Sequence, residues 1–345
     1  MKKIFLWVLA SVAFCGYAQN VDNRIVIGNT DSIYSKILNE ERKIWVHMPD
    51  TSGNGLYSKK KYPVVFLLDG DQFFYATVGT LQFLSEANRV CPEMILVGIT
   101  NTDRMRDLTP WHDTTVPKDS DLVRSSGGGE RFTAFLEKEL IPYIEANYPT
   151  APYRMLIGHS LGGLLVLNTL INHTEMFNSY VAIDPATYWA DQALLKQAAT
   201  APRQKKMANK SLYIGLSGSL PTNVDSTMMD KSLSTVSERS DIEFDRLVNF
   251  SSSSGLRYYH KYYDNETHNA VAFPAIYDAL HFMFDFMALP KINRDTVTTA
   301  FYIGHYKMVS QKMDYEVLPP EDLINGMGYY FLNKKCLRKR IVSFR

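Results

Sequence analysis

The chain reads as an α/β protein with a mostly parallel, doubly wound sheet, and three features of the sequence predict it. From about residue 25, short apolar runs rich in β-branched residues alternate with longer amphipathic stretches, the pattern of a sheet covered by helices on both faces. Successive runs are separated by roughly ten to twenty residues of helical character, which is the spacing of parallel crossovers rather than of hairpins. The segment Tyr62-Pro63-Val64-Val65-Phe66-Leu67-Leu68 is apolar almost without interruption, as a strand buried on both faces must be.

The elements follow in order. Two opening strands are expected at Ile33–Leu38 and Arg42–Met48, then the Tyr62–Leu68 strand, ending in the turn Asp69-Gly70-Asp71. Met94–Ile99 is a second strand of the buried kind. Residues 101–129 carry charges, Thr109-Pro110 and the run Ser125-Ser126-Gly127-Gly128-Gly129, and read as a long connection rather than a strand or helix. Phe132, Phe135, Leu136, Leu140 and Ile144 share one helical stripe, which leads through Pro149–Arg154 into the strand Met155-Leu156-Ile157. A helix from Ser160, a strand Tyr180–Ile183, a helix near Trp189–Ala199 and a strand Leu212–Leu216 continue the alternation. A polar segment over 218–242 leads into a helix, the strand Arg257–Tyr263 and a final long helix through Ala270–Ala288. In such a sheet, sites form at the carboxyl ends of the strands.

Composition narrows the function. The 345 residues hold 37 Lys+Arg against 36 Asp+Glu, 46% apolar and 12% aromatic residues, enough to bury a sizeable core and incompatible with a disordered or collagen-like chain. A net charge of +1 supplies no field for gathering phosphates, so a small molecule is expected as partner and nucleic acid is not. Lys2 and Lys3 precede an apolar run from Ile4 to Phe14 and then Gly16-Tyr17-Ala18, the pattern of an export signal over residues 1–18 cut before Gln19. Lipoprotein anchoring at Cys15 is disfavoured by the bulk of Phe14. No other apolar stretch approaches the roughly 20 residues of a membrane span. The expected mature chain keeps Cys91 and Cys336, too few for a disulfide scaffold and without partners at metal-ligand spacing.

The chemistry is carried by Gly158-His159-Ser160-Leu161-Gly162-Gly163, which lies between an apolar strand and an apolar helix, the context of a G-x-S-x-G nucleophile elbow. The sharp turn forces its flanks together, which Gly158 and Gly162 allow. It also leaves Ser160 at the amino end of a helix, where backbone N–H groups favour an oxyanion. A serine needs a base, and the fold's order of nucleophile, acid, histidine points to His268, in the loop Asp264-Asn265-Glu266-Thr267-His268-Asn269 after the last strand. His159 lies inside the elbow, expected to point away from Ser160. His47 and His112 precede the nucleophile, His173 ends the helix behind it, and His260 and His281 fall within regular elements. The acid should follow Leu212–Leu216, where no carboxylate stands directly. Asp225 and Asp230 are the nearest candidates, Glu238 and Asp241 read as solvated helix charges, and a Ser–His pair without an acid stays open. A second oxyanion donor is expected at Gly70 and Asp71. No cofactor is implied. The carboxylates of Asp69-Gly70-Asp71 have no companions at calcium-loop spacing, and there is no H-E-x-x-H, so no metal is expected.

These residues resemble the putative-esterase family of α/β hydrolases, which includes enterochelin-type siderophore esterases, feruloyl and acetyl-xylan esterases and S-formylglutathione hydrolases. The resemblance runs from about Asp31 to Ala288. It rests on Tyr62–Asp71, on Val97-Gly98-Ile99 with Arg104–Pro110, on Glu139–Glu145, on the elbow and on Glu266-Thr267-His268. It implies the α/β-hydrolase fold, with Ser160 as nucleophile, His268 as base, and the amides of Leu161, Gly70 and Asp71 as the oxyanion hole. Two positions depart from the family: Ala186 stands in Asp184-Pro185-Ala186-Thr187-Tyr188-Trp189 where the siderophore branch tends to have Ser, and no acid directly follows Leu216. Residues 19–289 are therefore the esterase domain, and 290–345 a helical tail. There, Gly328 in Ile324–Phe331, with Phe344 sixteen residues on, is similar to the start of a tetratricopeptide helix pair, although Arg340 departs from it; a basic amphipathic tail with Lys334, Lys335, Arg338, Lys339 and Arg340 fits as well. The expected protein is an exported serine carboxylesterase, periplasmic or secreted, able to self-associate through the tail. The rival readings are a silent hydrolase-fold scaffold and a serine peptidase of the same fold.

Overall fold

A computed structural model describes residues 24–49, 60–114, 123–200, 207–218, 223–250, 255–291 and 297–333. The expected export signal, Cys15, Cys336, Phe344 and the basic residues from Lys334 to Arg340 lie outside them. Eight strands form one sheet: β1 (Asn29–Ser35), β2 (Glu40–His47), β3 (Tyr62–Leu67), β4 (Ile95–Ile99), β5 (Thr150–His159), β6 (Ser179–Ile183), β7 (Ser211–Ser217) and β8 (Arg257–Tyr263). Their order is β1-β2-β4-β3-β5-β6-β7-β8, with β1 and β2 antiparallel to their neighbours and β3 to β8 parallel. The predicted fold class is therefore present, and the strand that feeds the elbow sits in the middle of the sheet.

The described helices are α1 (Gly70–Gln82), α2 (Arg104–Leu108), α3 (Gly129–Phe135), α4 (Ile141–Asn147), α5 (Leu161–Asn172), α6 (Trp189–Thr200), α7 (Val224–Met229), α8 (Val236–Phe250), α9 (Ala272–Phe284), α10 (Thr299–Met313) and α11 (Glu321–Asn333). The sheet separates two apolar layers. Val64, Phe66, Leu156, Ala182 and Leu164 belong to one, and Val65, Leu67, Met155, Ile157, Val181 and Ile276 to the other, as the two-residue period of a strand requires. Burial in the central strands is continuous: every residue of β3, β4 and β6 is buried.

Three local expectations are corrected. The connection over 101–129 contains α2, started by the side chain of Asp103 accepting from the Arg106 N–H. The polar segment over 218–242 contains α7, capped by Asn223 accepting from the Ser226 N–H at 2.9 Å, and the start of α8. β5 begins at Thr150, so the stretch taken as a connection from Pro149 to Arg154 is ladder. In the tail, Val309 and Met313 of α10 enter the α1/α9 apolar layer, and His305 Nε2 lies 3.1 Å from the Met287 carbonyl oxygen.

Candidate active site

Gly158 lies in the buried run that closes β5, and a Cβ there would lie 2.4 Å from the carbonyl oxygen of Gly162, so the elbow closes only around glycine. Ser160 takes φ 58° and ψ −117°, a conformation costly to any side chain, and heads α5. Tertiary bonds hold it there. The Ser160 N–H donates to the Ile183 carbonyl at 2.9 Å, and its own carbonyl accepts from the N–H groups of Leu164 and Ala186. The elbow is thus tied to the carboxyl end of β6.

His268 follows β8 as expected, with its side chain about half exposed. Its Nδ1 donates to Asp184 Oδ2 at 2.6 Å. Asp184 directly follows β6, at φ 43°, and its N–H donates to the Gly215 carbonyl. Both carboxylate oxygens are engaged from the end of β7 as well: the Ser217 N–H donates to Oδ1 at 2.9 Å and the Ser217 hydroxyl to Oδ2 at 2.6 Å. Burial opposes the charge of Asp184, but the bonds from His268 and Ser217 outweigh it and hold the carboxyl below the usual carboxylate range.

The acid candidates named from the sequence are therefore corrected. Asp225 stands in the first turn of α7, and Asp230 caps its far end with its carboxylate bonded to the Ser232 N–H and hydroxyl. The carboxylate on His268 is that of Asp184. The order rule sought it after β7, and the signal that could have found it is an aspartate directly after the apolar run Tyr180–Ile183, one strand nearer the elbow. Asp241 is not a solvated charge either. It accepts from the Thr187 hydroxyl at 2.9 Å, and burial, with Asp184 and Glu238 nearby, pushes its carboxyl well above the usual range. Glu238 is exposed. It lines, with Asp184, Ala186, Tyr188, Ser234, Val236, Ser237 and His268, a cavity of about 280 Å³.

The proposed oxyanion donors are placed at two helix starts. Leu161 is the first residue of α5, and Gly70 and Asp71 are the first two of α1, where helical N–H groups have no partner four residues back. Gly70 is obligatory, because a Cβ would lie 2.5 Å from the Gly98 carbonyl carbon of β4. The preceding residue, Asp69, is buried at φ 52° and held by a bidentate pair with Arg104, at 2.7 and 3.0 Å, and by the Asn101 side chain at 2.7 Å. Arg104 also reaches the His159 carbonyl at 3.3 Å. The turn bearing two proposed donors and the elbow bearing the third are thus joined by one guanidinium. No group of three or more potential metal ligands occurs among the described residues, and no helix among them is long and apolar enough to cross a membrane.

The chain is similar in sequence and in fold to known proteins. Over 183 residues the chain is 32% identical to the ferri-bacillibactin esterase BesA of Bacillus subtilis, which covers 49% of this chain and 63% of that protein. Over 200 residues it is 29% identical to the siderophore enterobactin esterase of Emericella nidulans, covering 53% and 63%. The matched part thus spans somewhat less than two thirds of either relative. Among solved structures, an IroE-like serine hydrolase from Shewanella oneidensis superposes with a TM-score of 0.73 at 28% identity, covering 90% of this chain and 96% of that one. A family model described as "Putative esterase" matches residues 35–277, from the end of β1 into α9 and across every residue of the site just described, and the chain belongs to that family of α/β hydrolases.

Proposed function

We propose that the protein is an exported serine carboxylesterase acting through an acyl-enzyme. The observation that carries this reading is the 2.6 Å bond from His268 Nδ1 to Asp184, in a chain whose strained Ser160 heads α5. That bond leaves Nε2 of His268 as the nitrogen that exchanges protons. Ser160 Oγ attacks the ester carbonyl while His268 takes its proton, and the imidazolium that forms is stabilised by ionised Asp184. The N–H groups of Leu161, Gly70 and Asp71 receive the developing oxyanion, His268 returns the proton to the leaving alcohol, and a water activated by the same histidine hydrolyses the acyl-enzyme. Relatives named for ferri-bacillibactin and enterobactin support a siderophore ester as the substrate. The basic start and apolar run of residues 1–18 support export.

A burst of p-nitrophenol from a short acyl ester, followed by a panel of siderophore trilactones, feruloyl sugars and acetylated xylans, tests activity and substrate together. Ser160→Ala and His268→Ala should each lower kcat by several orders of magnitude, and the double variant should lose little more, because the residues act as a unit. Losses that multiply would refute the shared mechanism, and a wild-type protein without any burst would favour the silent scaffold.

A further inference from the structure

His159 occupies the elbow position next to the nucleophile, and it does more than fill space. The residue is 5% exposed, and its Nε2 lies 2.6 Å from the main-chain carbonyl oxygen of His268. A carbonyl cannot donate, so Nε2 carries the hydrogen and the tautomer is set by this contact. Its ring centre is 4.6 Å from that of His268 and 5.4 Å from that of Phe73, which meets it edge-on from the first turn of α1. One buried side chain therefore touches the loop of the base and the helix whose first amides are the proposed oxyanion donors, and it is covalently joined to Ser160.

The loop has need of such an anchor. His268 stands between β8 and α9 with half its side chain in solvent. We propose that His159 is a positioning residue: its Nε2–H bond to the His268 carbonyl holds the backbone of the base at a fixed distance from the elbow, so that the imidazole faces Ser160 rather than swinging about its bond to Asp184. The proposal rests on the reading of Ser160 and His268 as nucleophile and base. Burial disfavours the His159 imidazolium and outweighs the bond to His268, so the group serves as a neutral donor. Displacement of a catalytic group by about 1 Å costs on the order of 100-fold in rate, which sets the scale of the effect.

The test compares His159→Gln, whose side-chain amide N–H can reach the same acceptor, with His159→Leu and His159→Met, which fill similar volume without a donor. Turnover of p-nitrophenyl butyrate and thermal unfolding are measured on the full chain. The expected result is a kcat lowered about 10- to 100-fold in the Leu and Met variants with KM within about threefold of wild type. His159→Gln should keep kcat within about threefold. Donor-less variants as fast as wild type would overturn the proposal. So would a Gln variant as slow as they are with an equal loss of thermal stability, which is the behaviour of a residue that only fills space. Wild-type protein without turnover would bring down the underlying esterase reading and the proposal with it, an outcome distinct from an active wild type whose Leu variant is equally active. If the Leu variant does not fold, the Met and Gln variants decide alone.

Discussion

Asp184 shows how one residue can be held ready for one charge state. Its four bonds to His268, Ser217 and the Gly215 carbonyl leave little freedom in either its side chain or its backbone. Because its carboxyl is held below the usual carboxylate range, it is ionised at neutral pH. The sign for stability follows: a depressed carboxylate favours the folded state above its unfolded pKa and loses that contribution as pH falls through the folded value. Asp184→Asn should therefore lower kcat by roughly 1,000- to 10,000-fold and flatten the fall of stability on the acid side of pH 4, as read by activity assays and by acid unfolding. Asp225→Asn and Asp230→Asn should each leave kcat within about twofold, since neither carboxylate is on His268; equal, small losses from all three would restore the two-residue alternative. The elbow was legible because it is a local pattern of adjacent residues with a steric cause. Asp184 was not, because its partners lie on β7 and after β8, and a sequence does not state which strand end lends a neighbour its carboxylate.

At the scale of elements, legibility followed the strength of the local signal. The buried strands β3, β4, β6 and β7 were read to within a residue or two because burial on both faces leaves no polar position to blur their ends, whereas β5 was read five residues short at its start, where Pro152 and Arg154 interrupt the apolar run. The short helices α2 and α7 were missed, since a helix of five or six residues with one buried edge or none carries no apolar stripe. Each has a signal of another kind, an Asx residue at the cap accepting from the N–H three positions on. The placement of α1 rests on Gly70 meeting Gly98 of β4. Gly70→Ala must push the start of α1 off the sheet by several tenths of an ångström, and two proposed oxyanion donors move with it. The expected outcome is a kcat lowered at least tenfold with the protein still folded, on the scale of losing one oxyanion donor; full activity in that variant would place the oxyanion hole elsewhere.

For the molecule as a whole, the tail is a matter of coverage. Val309 and Met313 are fully buried and Tyr302 nearly so, Lys312 Nζ lies 4.9 Å from the ring centre of Phe286, and burial of Tyr315 pushes its phenol above its ordinary value. None of these residues belongs to the candidate site, whose members all precede Asn269. Removal of everything after Leu289 should therefore leave kcat for a small ester within a few-fold. Uncovering two or three side chains worth about 1.5–3 kcal/mol each should lower Tm by at least roughly 6 °C at about 2–4 °C per kcal/mol. A truncated protein with unchanged Tm but no turnover would show that the tail borders the substrate path. The sequence was read as a helical tail over 290–345; which face of the domain α10 covers was not legible, since a sequence does not name the surface that meets a buried side chain.

The double anchorage of Asp184 on Ser217 also bears on how such a site can change over evolutionary time. The carboxylate that faces His268 Nδ1 is met from two adjacent strand ends, since Asp184 itself follows β6 and Ser217 Oγ at the end of β7 lies 2.6 Å from its Oδ2. An acid arising at position 217 would find the receptor for its charge in place before the one at 184 is lost. Migration of the acid from one strand to the next thus needs no intermediate without a carboxylate. The swap Asp184→Ser with Ser217→Asp should accordingly recover at least tenfold of the activity that Asp184→Ser alone removes, measured as kcat on the same short ester. A swap no better than the single variant would mean that the bond angle at His268, and not the mere presence of a carboxylate there, ties the acid to β6.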